Sequence, residues 1–182
     1  MKGMIYTAFL DMVEETFSPS LADDIIVSAN LPSGGSYTSL GTYDHAELIA
    51  LVVQLSDRTG ISGPTLVKTF GRYLFGILAQ HYPQFIEEHG HTFDFLQRLD
   101  SYIHVEVRKL YPEAELPTFV FDASVPGSLT MDYSSTRPFA DLAEGLILGC
   151  IHHYGEQIEL SREDLAEGTS ARFVLRMAGW DI

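Results

Sequence analysis

A tyrosine, a serine, an arginine and a histidine have the types and spacing to act together. In Met131-Asp132-Tyr133-Ser134-Ser135-Thr136-Arg137, the two-residue period of a strand puts Tyr133, Ser135 and Arg137 on one face. That face offers an anion clamp, because Arg presents a planar fork matched to carboxylate or phosphate and the hydroxyls can donate to the remaining oxygens. The same row also suits the wetted face of an antiparallel strand, and pattern alone does not choose between the two. His104 is the earlier residue best placed to complete a site. On a regular helix it falls about 80° from the direction of Leu96, at the border of the buried face. A packed, hydrogen-bonded histidine fits that position, and so does a neutral imidazole ligating a metal or haem iron.

Other candidates carry less. His89-x-His91 and His152-His153 lie in polar or turn-like settings without the carboxylate or thiolate company of a structural metal site, and read as solvated surface. His45 and His81 fall near a helix start and a helix end. His104-x-Glu106 has the spacing of a zinc deaminase half-motif, but the required Pro-Cys-x-x-Cys is absent. Gly34-Gly35 lacks the Gly-Lys-Ser/Thr of a phosphate loop and reads as a turn. No Gly-x-Ser-x-Gly occurs, and Cys150 lies inside an apolar helix, where a thiol is inert.

The elements that must position these residues are mostly helices. Ile5, Phe9, Met12, Val13 and Phe17 recur at helical spacing, and a short second helix follows over about residues 21–30. Leu31-Pro32-Ser33-Gly34-Gly35-Ser36 is a loop by composition. Asp44-x-x-Glu47 predicts a capping box opening a helix that Gly60 ends. Pro64 suits the first turn of the next helix, which Pro83 stops. One continuous helix is predicted over about residues 93–110, with Leu96, Leu99, Ile103 and Val107 in its stripe. Residues 118–123 and 128–136 then read as a hairpin around Val125-Pro126-Gly127. A helix over 138–154 follows, with Gly145 and Gly149 allowing close packing, and then two strands over about 157–160 and 171–177 joined by an acidic loop. The order predicts an α+β fold: a helical N-terminal part, then a small antiparallel sheet with a packed helix, within one domain spanning residues 1–182.

Composition bounds the function. Hydrophobic residues make up 46% and aromatics 12%, enough for a core. The formal net charge of −14 argues against nucleic acid and anionic membranes as partners. A single cysteine rules out an internal disulfide framework and suits a reducing cytosol. Acidic residues interrupt the N-terminal apolar run too early for a signal peptide, and no run approaches the roughly 18 residues of a transmembrane helix. A soluble, cytoplasmic protein is expected.

With the elements in place, the chain resembles the haem nitric oxide/oxygen-binding (H-NOX) family. The resemblance runs from Met1-Lys2-Gly3 through Leu31-Pro32-Ser33-Gly34-Gly35 and Gly41-Thr42-Tyr43-Asp44-His45 to His104-Val105-Glu106-Val107-Arg108-Lys109-Leu110-Tyr111-Pro112. Pro117, the Tyr-x-Ser-x-Arg row and Ala143-Glu144-Gly145-Leu146 continue it in order. It implies haem b as cofactor, His104 as proximal iron ligand, and Tyr133, Ser135 and Arg137 as partners of the propionates. It also implies that Ile5 and Pro117 press on the porphyrin and distort it.

The same resemblance implies a gas preference. Members that hold oxygen use a distal tyrosine five residues after the motif arginine, and that position here is Leu142. The distal pocket implied by the family is Phe9, Leu74, Leu78, Leu142 and Leu146, which offers no hydrogen-bond donor unless Tyr6 or Tyr73 turns inward. A sensor of nitric oxide that excludes oxygen is the expectation, with carbon monoxide as a further ligand. In the family's mechanism nitric oxide releases the proximal histidine, and output passes in trans to a histidine kinase or a cyclic-di-GMP enzyme such as a diguanylate cyclase. The alternative is a haem-free module of similar fold that binds a ligand or a partner protein. An enzyme is not expected, because no nucleophile with paired carboxylates is present.

Overall fold

The computed structural model describes residues 1–87 and 90–179, so His89 of the His89-x-His91 pair lies outside the described residues. Helix α1, Gly3–Thr16, buries Tyr6, Phe9, Met12 and Val13 at helical spacing. Helix α2, Pro19–Ala29, opens with Pro19 in its first turn and the Ser18 hydroxyl accepting from Leu21 N at 3.1 Å. Helix α3, His45–Thr59, is capped by Asp44, whose carboxylate accepts from Ala46 N at 3.0 Å, and it ends at left-handed Gly60 (φ 72°). The predicted box is therefore only half formed. Glu47 is buried, and its carboxylate accepts from the hydroxyls of Ser33 and Tyr37. A buried carboxylate needs its own donors, and the loop supplies them better than the exposed helix start would.

Helix α4, Gly63–His81, stops before Pro83, which opens the short α5, Pro83–Glu87. The single helix predicted over residues 93–110 is instead three pieces: α6, Thr92–Leu96; a π-helical turn, Leu99–Ile103; and α7, His104–Leu110. Strands β1, Thr118–Asp122, and β2, Ser128–Ser134, form the expected hairpin, and β3, Ile158–Ala166, and β4, Ser170–Met177, complete an antiparallel sheet of order β1-β2-β4-β3. The first part of the segment predicted as an acidic loop, through Ala166, belongs to β3, and only a short turn then leads to β4. Glu159 and Glu163 of β3 stand opposite Arg176 and Arg172 of β4, a register that sets opposite charges across the strand pair.

Helix α8, Ala140–Tyr154, lies with Ala143, Ile147 and Cys150 in one core with the alternate sheet residues Leu129, Met131, Tyr133, Ala171, Phe173 and Leu175. A second core fills the space among α1, α2, α3 and α4. The two meet where α4 and α8 cross, as the glycine spacing predicted. A Cβ on Gly145 would stand 2.2 Å from Lys68 O and 2.8 Å from Gly71 Cα, and one on Gly149 would stand 2.6 Å from Phe75 Cβ. Backbone itself fills the crossing. Among the described residues no helix is long and apolar enough to cross a membrane.

Gly145→Ala is expected to cost about 1–3 kcal/mol through overpacking. Urea unfolding monitored by circular dichroism would show this as a lower midpoint with an unchanged slope. An unchanged midpoint would show that the two helices can separate freely.

Candidate functional site

The π-helical turn sets the direction of His104. Ile103 N donates to Arg98 O at 3.1 Å and His104 N donates to Leu99 O, each reaching back one residue further than in an α-helix. The extra residue shifts the phase of everything after it, so the angle inferred for a regular helix does not apply. His104 is 8% exposed. Its Nδ1 donates to Asp100 Oδ1 at 2.7 Å, while Asp100 Oδ2 accepts from Phe119 N of β1 at 2.6 Å. A carboxylate acceptor fixes the proton on Nδ1 and leaves the Nε2 lone pair free.

Among the described residues no hydrogen bond reaches Nε2. Burial pushes the His104 pKa below its ordinary value, against the opposing pull of Asp100, so the neutral ring is favoured. These are the properties of a metal-ligating imidazole whose second nitrogen is held by a carboxylate. Sequence reasoning missed Asp100. The signal was there: an acid four residues before the histidine within a helical stretch.

Tyr133 stands on β2 opposite Phe119 and Ala171, and at 2% exposure it faces the core. The wetted-face alternative is therefore excluded for Tyr133. The predicted single strand face is also corrected, because β2 ends at Ser134 and the next residues bend. Ser135 N donates to Thr169 O at 2.9 Å, Arg137 N to Ser135 Oγ at 3.1 Å, and Phe139 N to Arg137 O at 2.9 Å. A hydroxyl that captures the backbone two residues on ends the ladder and makes a turn.

The bend keeps the Tyr133 and Ser135 side chains in contact, and Ser135 meets Arg137 at its backbone amide. Burial raises the Tyr133 pKa, and hydrogen bonding to the Ser135 side chain and the Phe139 backbone opposes the rise. Arg137, its side chain only 17% exposed, donates from Nη2 to Glu115 Oε2 at 2.7 Å. The Phe119 ring links the two halves of the site, with centroids 6.1 Å from His104 and 5.6 Å from Tyr133.

The apolar candidates gather on the helical side. Phe9 and Leu74 are buried, and Ile5, Leu78, Leu142 and Leu146 pack against their cluster; Leu146 also packs against the sheet core. Pro117 is partly buried, one residue before β1. The hydroxyls of the two neighbouring tyrosines, Tyr6 and Tyr73, are engaged elsewhere. Tyr6 Oη donates to Asp44 O at 2.6 Å. Tyr73, raised to about 12 by burial, is hydrogen-bonded to Glu15.

Among the described residues no three His, Cys, Asp or Glu gather as for a bare metal ion. One neutral imidazole, one guanidinium with hydroxyls and an apolar side-chain set fit instead a flat apolar group that carries its own metal and carboxylates. The remaining motifs behave more simply. Burial pushes the Cys150 thiol far above its ordinary value, which keeps it inert. His152 and His153 are exposed as expected. His91 is also exposed but does have carboxylate company, with Nδ1 2.9 Å from Glu156 Oε1. That contact joins residues distant in sequence, which is why local context did not reveal it.

A family profile described as Haem-NO-binding matches residues 2–162. Comparison with curated proteins found no match. Among solved structures, the chain is similar to an Fe(II) unliganded H-NOX protein from K. algicida, at 38% identity over 97% of this chain and 96% of the other, with a TM-score of 0.92. An IWP-051-bound H-NOX from Shewanella woodyi, solved in the Fe(II)CO ligation state, shares 39% identity over 100% and 97% of the two chains, with a TM-score of 0.85. An S. oneidensis H-NOX protein in the Fe(II)NO ligation state shares 26% identity over 98% and 100%, with a TM-score of 0.89. The α+β architecture, the profile across most of the chain and these likenesses together make the chain a member of the haem-NO-binding, or H-NOX, family of haem-based gas sensors.

Proposed function

We propose that this H-NOX protein holds haem b through His104 and reports nitric oxide while discriminating against oxygen. When bound, ferrous haem supplies the iron that takes the gas. The observation that carries the reading is a pair of contrasting environments, one at His104 and one in the helical core. On one side stands His104, neutral, with Nδ1 held by Asp100 and Nε2 free to ligate. On the other stand Phe9, Leu74, Leu78, Leu142 and Leu146, with the nearby tyrosine hydroxyls engaged elsewhere. Bound oxygen is partly anionic and gains from a donor, whereas nitric oxide needs none. An apolar wall therefore favours nitric oxide. The relatives solved with nitric oxide and carbon monoxide make carbon monoxide a reasonable second ligand.

Tyr133, Ser135 and Arg137 would hold the propionates, since charge-assisted hydrogen bonds contribute about 1.5–3 kcal/mol each. Ile5 and Pro117 would press on the porphyrin face. Asp100 would keep His104 oriented and carry its displacement to β1, because the same carboxylate holds Phe119 N. The output we propose is a separate histidine kinase or cyclic-di-GMP enzyme, met in the cytoplasm. Shifting a conformational population from 1:99 to 99:1 takes about 5.5 kcal/mol of preferential binding, which the gas would have to supply as a difference in its affinity for the two states.

The absorption spectrum tests the whole reading: a Soret band that moves on adding nitric oxide but not oxygen is expected, and a colourless protein that cannot be reconstituted with haem would overturn it. His104→Gly should lose haem unless free imidazole is supplied; retention of haem with an unchanged spectrum would remove His104 as ligand. Leu142→Tyr should raise oxygen affinity by about tenfold or more, given what a hydrogen bond to a charged acceptor contributes. Negligible oxygen binding in that variant would refute the donor argument. For Asp100→Asn, resonance Raman should show a lower iron–histidine stretching frequency, with haem affinity reduced by about tenfold or more. An unchanged frequency would show that Asp100 does not act on the ring.

A further inference from the structure

The Arg137 guanidinium already has a carboxylate on it. Glu115 lies on the segment between α7 and β1, two residues before Pro117, and its Oε2 accepts from Arg137 Nη2 at 2.7 Å. The two partners are unequally held. Arg137 is fixed at its backbone by Ser135 Oγ and by the bend that Ser135 N makes with Thr169 O, and its side chain is largely covered. Glu115 is 64% exposed and can return to water at little cost. A propionate and a glutamate side chain present the same group to a guanidinium, in the same planar fork. Glu115 already holds Nη2, so a propionate that takes the Nη1/Nη2 fork must displace it.

We propose that Glu115 is an internal competitor of haem: its carboxylate holds the Arg137 guanidinium that a propionate would claim, and it thereby weakens haem binding. This rests on the reading of Tyr133, Ser135 and Arg137 as the propionate clamp. Loading the site exchanges one carboxylate for another on Arg137 and frees Glu115 into solvent. The same exchange unties the segment that carries Pro117, so the clamp and the residue proposed to press on the porphyrin are set together.

The test is the equilibrium partition of haem between this protein and apomyoglobin, for wild type, Glu115→Gln, Arg137→Ala and the double variant. Glu115→Gln should bind haem about two- to fivefold more tightly, the range expected from losing one exposed ion pair. Its absorption spectrum should match wild type, since His104 is untouched. Arg137→Ala should bind more weakly, and adding Glu115→Gln to it should then bring no gain. Wild-type or weaker binding by Glu115→Gln would overturn the proposal. An equal gain in the Arg137→Ala background would also overturn it, by showing repulsion that does not pass through Arg137. If Arg137→Ala itself bound haem like wild type, the clamp reading would fall first and the competitor with it.

Discussion

The Asp100 carboxylate holds the site together because each of its oxygens is committed to a different part of the molecule. One accepts from His104 Nδ1 and sets the tautomer; the other accepts from Phe119 N and ties the histidine segment to the first strand of the sheet. Phe119 in turn stands opposite Tyr133 across the β1–β2 ladder. The imidazole and Tyr133, separated in sequence, are thereby registered to each other through a single side chain and one strand pair. Removing that carboxylate would leave a buried imidazole without its partner and a strand amide without its acceptor, both of which are costly.

The apolar set beside Leu142 depends on a different constraint, the close approach of α4 and α8. With glycine at 71, 145 and 149 the helices touch backbone to backbone, and Leu74, Leu142 and Leu146 are carried at fixed positions beside the crossing. Polar ties hold the same helices from outside. Lys68 of α4 meets Glu144 of α8 at 2.7 Å, and Arg162 of β3 reaches both Glu144 and Asp141. These pairs are partly covered, so screening weakens them less than it would on an open surface. The α4–α8 crossing is thus braced by backbone contact and ion pairs, while the histidine segment is joined to the rest by a π-helical turn and one strand amide.

Much of this is legible in the amino-acid sequence. Apolar spacing predicts α1 and α4, cap and turn residues predict α3 and the β1–β2 hairpin, and the spacing of Gly145 and Gly149 predicts close packing of α8, whose partner proves to be α4. What failed did so for particular reasons. The helix expected over residues 93–110 is broken because a π-turn leaves no mark in apolar periodicity over so short a stretch. The acidic residues after Leu160 read as a loop because the strand they pair with, β4, comes only after the turn, and local composition does not show that partner. Glu47 looked like half of a capping box because its real donors, Ser33 and Tyr37, come from the preceding loop.

The Tyr133, Ser135, Arg137 row and His104 were visible as residue types at suggestive spacing, and the sequence determined which chemistry they can do: an imidazole to ligate and a guanidinium with hydroxyls to grip an anion. It also determined which side chain occupies each apolar position, Leu142 above all. The tertiary structure decided which reading of those types applies. It turned Tyr133 inward, bent the chain so that Ser135 and Arg137 leave the strand, supplied Asp100 to His104 and set Glu115 on Arg137. The physical reason is that a residue's chemistry is carried by its own atoms, whereas its protonation, tautomer and partners depend on burial and on groups brought near by long-range packing.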